Sequence, residues 1–91
     1  MIIYKYPISP ISLATSIHLP ICSEVLCVQM QHGKPMIWVQ LPNAIGESDK
    51  TECRRFELIP TGINFNFVNK KYIGTVQDNE LVWHLFEIKD A

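Results

Sequence analysis

The dominant period along this chain is two. Val25 to Gln31 alternates, with Leu26, Val28 and Met30 on one face and Cys27, Gln29 and Gln31 on the other. Met36 to Leu41 resumes the alternation, setting Ile37, Val39 and Leu41 against Met36, Trp38 and Gln40. Between them His32-Gly33-Lys34-Pro35 is a turn sequence, so the two runs predict a β-hairpin with a loop of about four residues. Lys71 to Gln77 and Glu80 to Ile88 form a second predicted hairpin across Asp78-Asn79, two residues that tolerate the positive φ of a type I′ turn. That register sets Gly74 opposite Trp83, Val76 opposite Leu81 and Tyr72 opposite Leu85, with the indole lying over the glycine backbone.

Shorter apolar runs complete the pattern. Ile2 to Tyr6 is aromatic and β-branched and stops at Pro7, which predicts a first strand. Pro10 and the serines around it mark a connection. Thr15 to Leu19 puts Thr15, Ile17 and Leu19 on one face and stops at Pro20, as an edge strand does. Pro42 to Thr51 is polar and expected to be a mobile surface loop. Glu52 to Ile59 is the next strand, with Phe56 and Leu58 inward and Arg55 and Glu57 outward, ended by Pro60-Thr61-Gly62. Asn64 to Asn69 reads as irregular chain or a short strand. Six to seven short strands at spacings of roughly ten residues predict an all-β fold, a small antiparallel sandwich or partly open barrel. Ninety-one residues make one such domain, spanning 1–91.

Composition narrows the classes. The chain is 47% hydrophobic against 19% charged, which excludes disorder. It also offers more apolar surface than one small core covers, so a homodimer or higher homo-oligomer is expected. Eight Lys and Arg against nine Asp and Glu give a net charge of −1, which disfavours holding a nucleic-acid backbone. No apolar run is long enough for a membrane helix, and Met1 to Pro10 lacks the h-region of a signal peptide. The protein is therefore expected to stay where it is made. Cys22, Cys27 and Cys53 are odd in number and form no C-x-x-C pair, which favours reduced thiols; a Cys22–Cys53 or Cys27–Cys53 bridge stays open.

Candidate chemistry is sparse. His18 falls on the polar face of a strand, His32 in a turn, and His84 between Trp83 and Phe86, where a core histidine hydrogen-bonding a neighbouring strand is expected. No carboxylate or cysteine stands at ligand spacing, no nucleophile elbow occurs and the glycines are scattered, so no metal, cofactor or catalytic residue is assigned. Binding is expected rather than catalysis. Arg54 and Arg55 point to opposite faces of one strand: one is expected to pair with an acid on a neighbouring strand, the other to meet a carboxylate or phosphate on a partner. Trp38 beside Gln29 and Gln31 marks either a half-exposed contact surface or a face covered by the long loop or by another sheet. Tyr72, Trp83 and His84 complete the candidate partner-binding set; Tyr72 and Trp83 with either arginine would stack and neutralise a small nucleotide if they converged.

Several segments together are similar to a family of small proteins of tailed bacteriophages and prophages. They are Tyr4-Lys5-Tyr6-Pro7, Ser16-Ile17-His18-Leu19-Pro20, Val25-Leu26-Cys27-Val28-Gln29-Met30-Gln31-His32-Gly33-Lys34-Pro35 with Trp38, Arg54-Arg55-Phe56, Thr61-Gly62, Tyr72-Ile73-Gly74-Thr75-Val76-Gln77 and Leu81-Val82-Trp83-His84-Leu85-Phe86-Glu87. The last segment is the most specific. Where that family commonly has His after T-G, this chain has Ile63, and Asn64–Asn69 looks particular to it. The resemblance implies a gene product acting in the host bacterial cytoplasm and brings no established activity. Three roles are open to such a small, motif-free domain: an accessory protein that blocks a host component such as an antiviral defence protein, a virion structural or assembly component, and a sponge for a small nucleotide signal at a subunit interface.

Overall fold

A computed structural model describes residues 1–9, 14–42 and 50–89. The connection expected at Pro10 and most of the loop expected between Pro42 and Thr51 lie outside the described residues. Seven strands run in chain order: β1 (Ile2–Pro7), β2 (Thr15–Pro20), β3 (Glu24–Gln31), β4 (Lys34–Leu41), β5 (Thr51–Pro60), β6 (Lys70–Asp78) and β7 (Leu81–Ile88). They form a three-stranded sheet in the order β1-β4-β3 and a four-stranded sheet in the order β2-β5-β7-β6, with every pairing antiparallel. The fold is an all-β sandwich rather than a closed barrel. Among the described residues no helix is long and apolar enough to cross a membrane.

The alternation read along β4 and β5 sets the core. Ile37, Val39 and Leu41 are fully buried, as are Leu19, Phe56 and Leu85 from the other sheet. Each of these strands has one face on the core and one outside, the expected division for antiparallel sheets. His18 and His32 are exposed, as their positions on a polar face and in a turn require.

Four expectations need correction. The first hairpin turns on two residues, His32 and Gly33, because Lys34 and Pro35 already pair with Gln31 and Met30. Both turn residues have positive φ (53° and 76°), the signature of a type I′ turn, whose twist matches the flanking strands. Leu26 does not share the buried face of Val28 and Met30: the ladder shifts between Val25 and Cys27, and the extra residue leaves Leu26 43% exposed.

The second hairpin turns on Asn79-Glu80 rather than Asp78-Asn79, and of these only Asn79 has positive φ. Val76 therefore lies opposite Trp83, Gly74 opposite Leu85 and Tyr72 opposite Phe86, with a bulge at Ile73. Gly74 serves another purpose than the one expected. A Cβ there would come within 2.9 Å of Val28 Cγ1, so its missing side chain lets β6 approach β3 across the sandwich.

Candidate functional site

Strand β7 carries a polar network on each face. On the inner face, Glu87 follows Leu85 at strand period and lies opposite Phe56 of β5. Arg54 precedes Phe56 by the same period, so both charges face inward at one end of the core. The guanidinium grips the carboxylate in a fork, Nε to Oε2 at 2.6 Å and Nη2 to Oε1 at 2.8 Å. Its Nη1 donates to the Ser23 carbonyl at 2.5 Å. Ser23 is itself buried, at the bend between β2 and β3. Glu87 is 3% exposed. Burial alone would raise its pKa; the hydrogen bonds and charge of Arg54, with Lys89 3.5 Å away, outweigh that and hold the carboxyl below the ordinary glutamate range. An open depression of about 410 Å³ lies over the pair. Among the described residues Arg54 and Lys89 line it together with Glu52 and Glu87, two charges of each sign.

On the outer face, four side chains form a chain of hydrogen bonds. Tyr72 Oη lies 2.5 Å from Thr75 Oγ1, which lies 2.9 Å from His84 Nδ1. His84 Nε2 lies 2.7 Å from Thr61 Oγ1, which reaches the Val82 carbonyl at 3.4 Å. One set of proton positions satisfies all four contacts. Tyr72 donates to Thr75, Thr75 to Nδ1, Nε2–H to Thr61, and Thr61 to the carbonyl. His84 thus bonds Thr75 of the neighbouring strand β6, as expected, but it does so from the outer, water-accessible face rather than from the core, because its register with Thr75 puts it on the side of the sheet away from Leu85. With both ring nitrogens engaged, it is not an open base or ligand. The network instead fixes the Tyr72 hydroxyl on the outer face.

Beside this network stands an aromatic cluster. Phe65 and Phe67 fold back over Phe86, with ring centroids 5.2 and 5.7 Å away, and Tyr72 meets the same ring at 5.6 Å. Phe65 and Phe67 are 4.4 Å apart. Phe86 is buried beneath them, whereas Phe67 is 65% and Tyr72 55% exposed, and Ile63 and Val68 on the same segment are exposed too.

The candidate residues therefore divide. Tyr72, His84 and Arg55 lie on the outer side of the four-stranded sheet. Trp38, Gln29 and Gln31 lie on the outer side of the other sheet, where Trp38 sits between Cys27 and Lys5 and Lys5 Nζ donates to Gln31 at 2.5 Å. Arg54 pairs with an acid, Glu87, and points inward. Trp83 packs against the core. Tyr72 and Trp83 thus occupy opposite faces and do not converge on a ligand. The three cysteines are free. Among the described residues, no group of three or more His, Cys, Asp or Glu is placed to hold a metal ion.

Sequence reasoning missed Phe65, Phe67, Thr61, Thr75, Ser23 and Glu87. Two signals were present. Charged residues at inward parity, Arg54 before Phe56 and Glu87 after Leu85, have to find each other. The Phe65-x-Phe67 spacing offered two rings to any apolar residue on the outer face of β7.

No curated protein and no solved structure matches the chain. A family model described as "Domain of unknown function (DUF7352)" does, over residues 1–91, and its description names neither an activity nor a phage origin. The chain belongs to this DUF7352 family over its whole length.

Proposed function

We propose that this chain is a non-enzymatic binding protein, a phage-encoded accessory factor that seats a host protein on the outer face of its four-stranded sheet and blocks it in the host cytoplasm. A component of antiviral defence is the class of target. The observation that carries the reading is the exposed aromatic cluster: Phe67 and Tyr72 present most of their rings to solvent while Phe86 and the Thr75–His84 network hold them in place. Rings fixed before binding lose little entropy on contact, and aromatic anchors of this kind dominate interface energetics. The phage setting is supported by the resemblance of the chain's motifs, and Thr61, Tyr72, Thr75 and His84 all come from those segments.

The test is affinity capture from infected host cells, using the native chain and Phe67→Ser. A host protein is expected in stoichiometric yield, inhibited by the purified native chain. Its affinity should fall at least tenfold with Phe67→Ser, since a hot-spot ring contributes about 2 kcal/mol or more. Recovery only with virions would replace this reading with a structural or assembly role. Capture unaffected by Phe67→Ser would move the contact to another surface, with Trp38 the next residue to test.

A further inference from the structure

A sandwich of two open sheets has four edges, and this one treats them differently. Edges β3 and β6 lie against each other, and each is bulged, at Leu26 and at Ile73. Bulges blunt an edge against further pairing. Edges β1 and β2 have no backbone partner on their outer side among the described residues.

The backbone direction of both open edges can be worked out. Ile8 N donates to the Pro35 carbonyl at 3.0 Å, in register with the β1–β4 ladder. Residues of an antiparallel strand alternately face the partner and face away. Ile2, Tyr4 and Tyr6 therefore turn their N–H and C=O groups to β4, and Ile3 and Lys5 present theirs to the open side. Pro7, which has no N–H, stands next in that open row, where none is needed. Ile21 N bonding Lys50 O at 3.3 Å gives the corresponding result for β2: Ser16, His18 and Pro20 face outward.

The side chains then separate the two. On β2 the core-facing Leu19 is fully covered, and Ser16 and His18 are polar. On β1, Tyr4 on the core side is 43% exposed and Ile3 57%. An unbulged edge flanked by uncovered apolar side chains is a template for another strand.

We propose that β1 pairs antiparallel with β1 of a second copy of this chain, about a two-fold axis through Tyr4. The strand is self-complementary in that register. Ile3 faces the partner's Lys5 and Lys5 faces the partner's Ile3, and all four open N–H groups and carbonyls of each protomer's Ile3 and Lys5 are used. Tyr4 meets the partner's Tyr4 as a non-hydrogen-bonded pair on the core side. The neighbouring registers are worse. Centring on Lys5 sets lysine against lysine and Ile3 against a proline without an N–H; centring on Ile3 carries Lys5 past the end of the strand. The product is a continuous six-stranded sheet that leaves the aromatic cluster of the other sheet open.

Sedimentation velocity on the full chain tests this. The wild type is expected at twice the chain mass, and Ile3→Pro at the mass of one chain. The Ile3 N–H faces away from β4, so the proline leaves the internal ladder intact, which circular dichroism checks. If Ile3→Pro fails to fold, cross-linking carries the test. With Cys22, Cys27 and Cys53 changed to Ser, Tyr4→Cys should oxidise to a covalent dimer, since non-hydrogen-bonded pairs have Cα atoms about 4.5 Å apart, within disulfide reach. Tyr6→Cys should not, because Tyr6 faces the partner's Ile2. A monomeric wild type, a dimer that survives Ile3→Pro, or a dimer in which Tyr4→Cys stays uncross-linked each overturns the proposal. Phe67→Ser should leave the dimer mass unchanged, so this proposal and the host-binding reading fail separately.

Discussion

The two networks on β7 differ in what surrounds them. Arg54, Glu87 and the Ser23 carbonyl meet at the inner face, where the two charged side chains are 12% and 4% exposed. Tyr72, Thr75, His84 and Thr61 meet at the outer face, where water reaches them and none of the bonds depends on a net charge. The inner pair cannot lose one member without leaving a largely buried ion that has only a more exposed partner, Glu52 at 4.0 Å for Arg54 or Lys89 at 3.5 Å for Glu87. The outer chain can lose any member and have water take its place. The same strand thus holds the end of the core with one face and arranges a contact surface with the other, and the difference lies in the solvent rather than in the number of bonds.

The strongest way to break that contrast is to remove one inner charge. Glu87→Ala removes the forked partner of Arg54 and leaves it only the half-exposed Glu52, 4.0 Å away, so it should cost toward the lower end of about 3–5 kcal/mol. That is a large part of the roughly 5–15 kcal/mol that stabilises a domain, and urea unfolding would show it. Replacing both charges by apolar residues of similar size, Arg54→Met with Glu87→Leu, should recover most of the loss. A double variant as unstable as the single would show that the pair acts through shape rather than charge. Acid tests the same pair more gently. The folded Glu87 carboxyl sits below its unfolded value, so its contribution is complete above the ordinary glutamate range and lost as pH falls through the folded value. Glu87→Gln should flatten that part of the stability–pH curve.

The next effect separates packing from charge on the inner face. Gly74→Ala would place a methyl 2.9 Å from Val28 Cγ1. The Gly74 backbone is not in the left-handed region, so the cost is steric. It should be about 1–3 kcal/mol by thermal or denaturant unfolding. In a Val28→Ala background the same substitution should cost much less, and a double-mutant cycle would read the coupling directly. Strict additivity would mean that the two sheets already have room to move apart there.

These regions were not equally legible in the sequence. The inward residues of β4 and β5 were readable because a two-residue period over six or more positions leaves little freedom in which face is buried. The registers were less so. Each bulge adds one residue to one strand, and neither Leu26 nor Ile73 differs in type from its neighbours, so alternation alone cannot find them. The C-terminal register failed by one turn position. Asp78 and Asn79 both suit a hairpin turn, and the choice of Asn79-Glu80 depends on how β6 and β7 pack rather than on local propensity. Of the site, Arg54's need for an acid was readable from the strand, but the identity of Glu87 was not, because it required knowing that β7 lies beside β5. Tyr72 and His84 were singled out separately; Thr75, the residue that joins them, comes from a register that the sequence did not disclose.

The smallest effect on stability is also the one that most sharpens the contrast between the faces. Thr75→Val keeps the β-branched shape suited to a strand and deletes the hydroxyl that links Tyr72 to His84. Both neighbours stay within reach of water, so the cost should fall at or below about 1 kcal/mol, near the lower end for a hydrogen bond. If the outer network serves the contact surface, partner affinity should fall by more than stability does, because the Tyr72 ring loses the bond that fixes its hydroxyl. Tyr72→Phe is the control. It keeps the ring against Phe86 and removes only the hydroxyl, so it separates the contribution of ring orientation from that of the hydroxyl. A Thr75→Val loss as large as that of Glu87→Ala would show that water does not replace the outer bonds, and the division of labour between the two faces of β7 would fail.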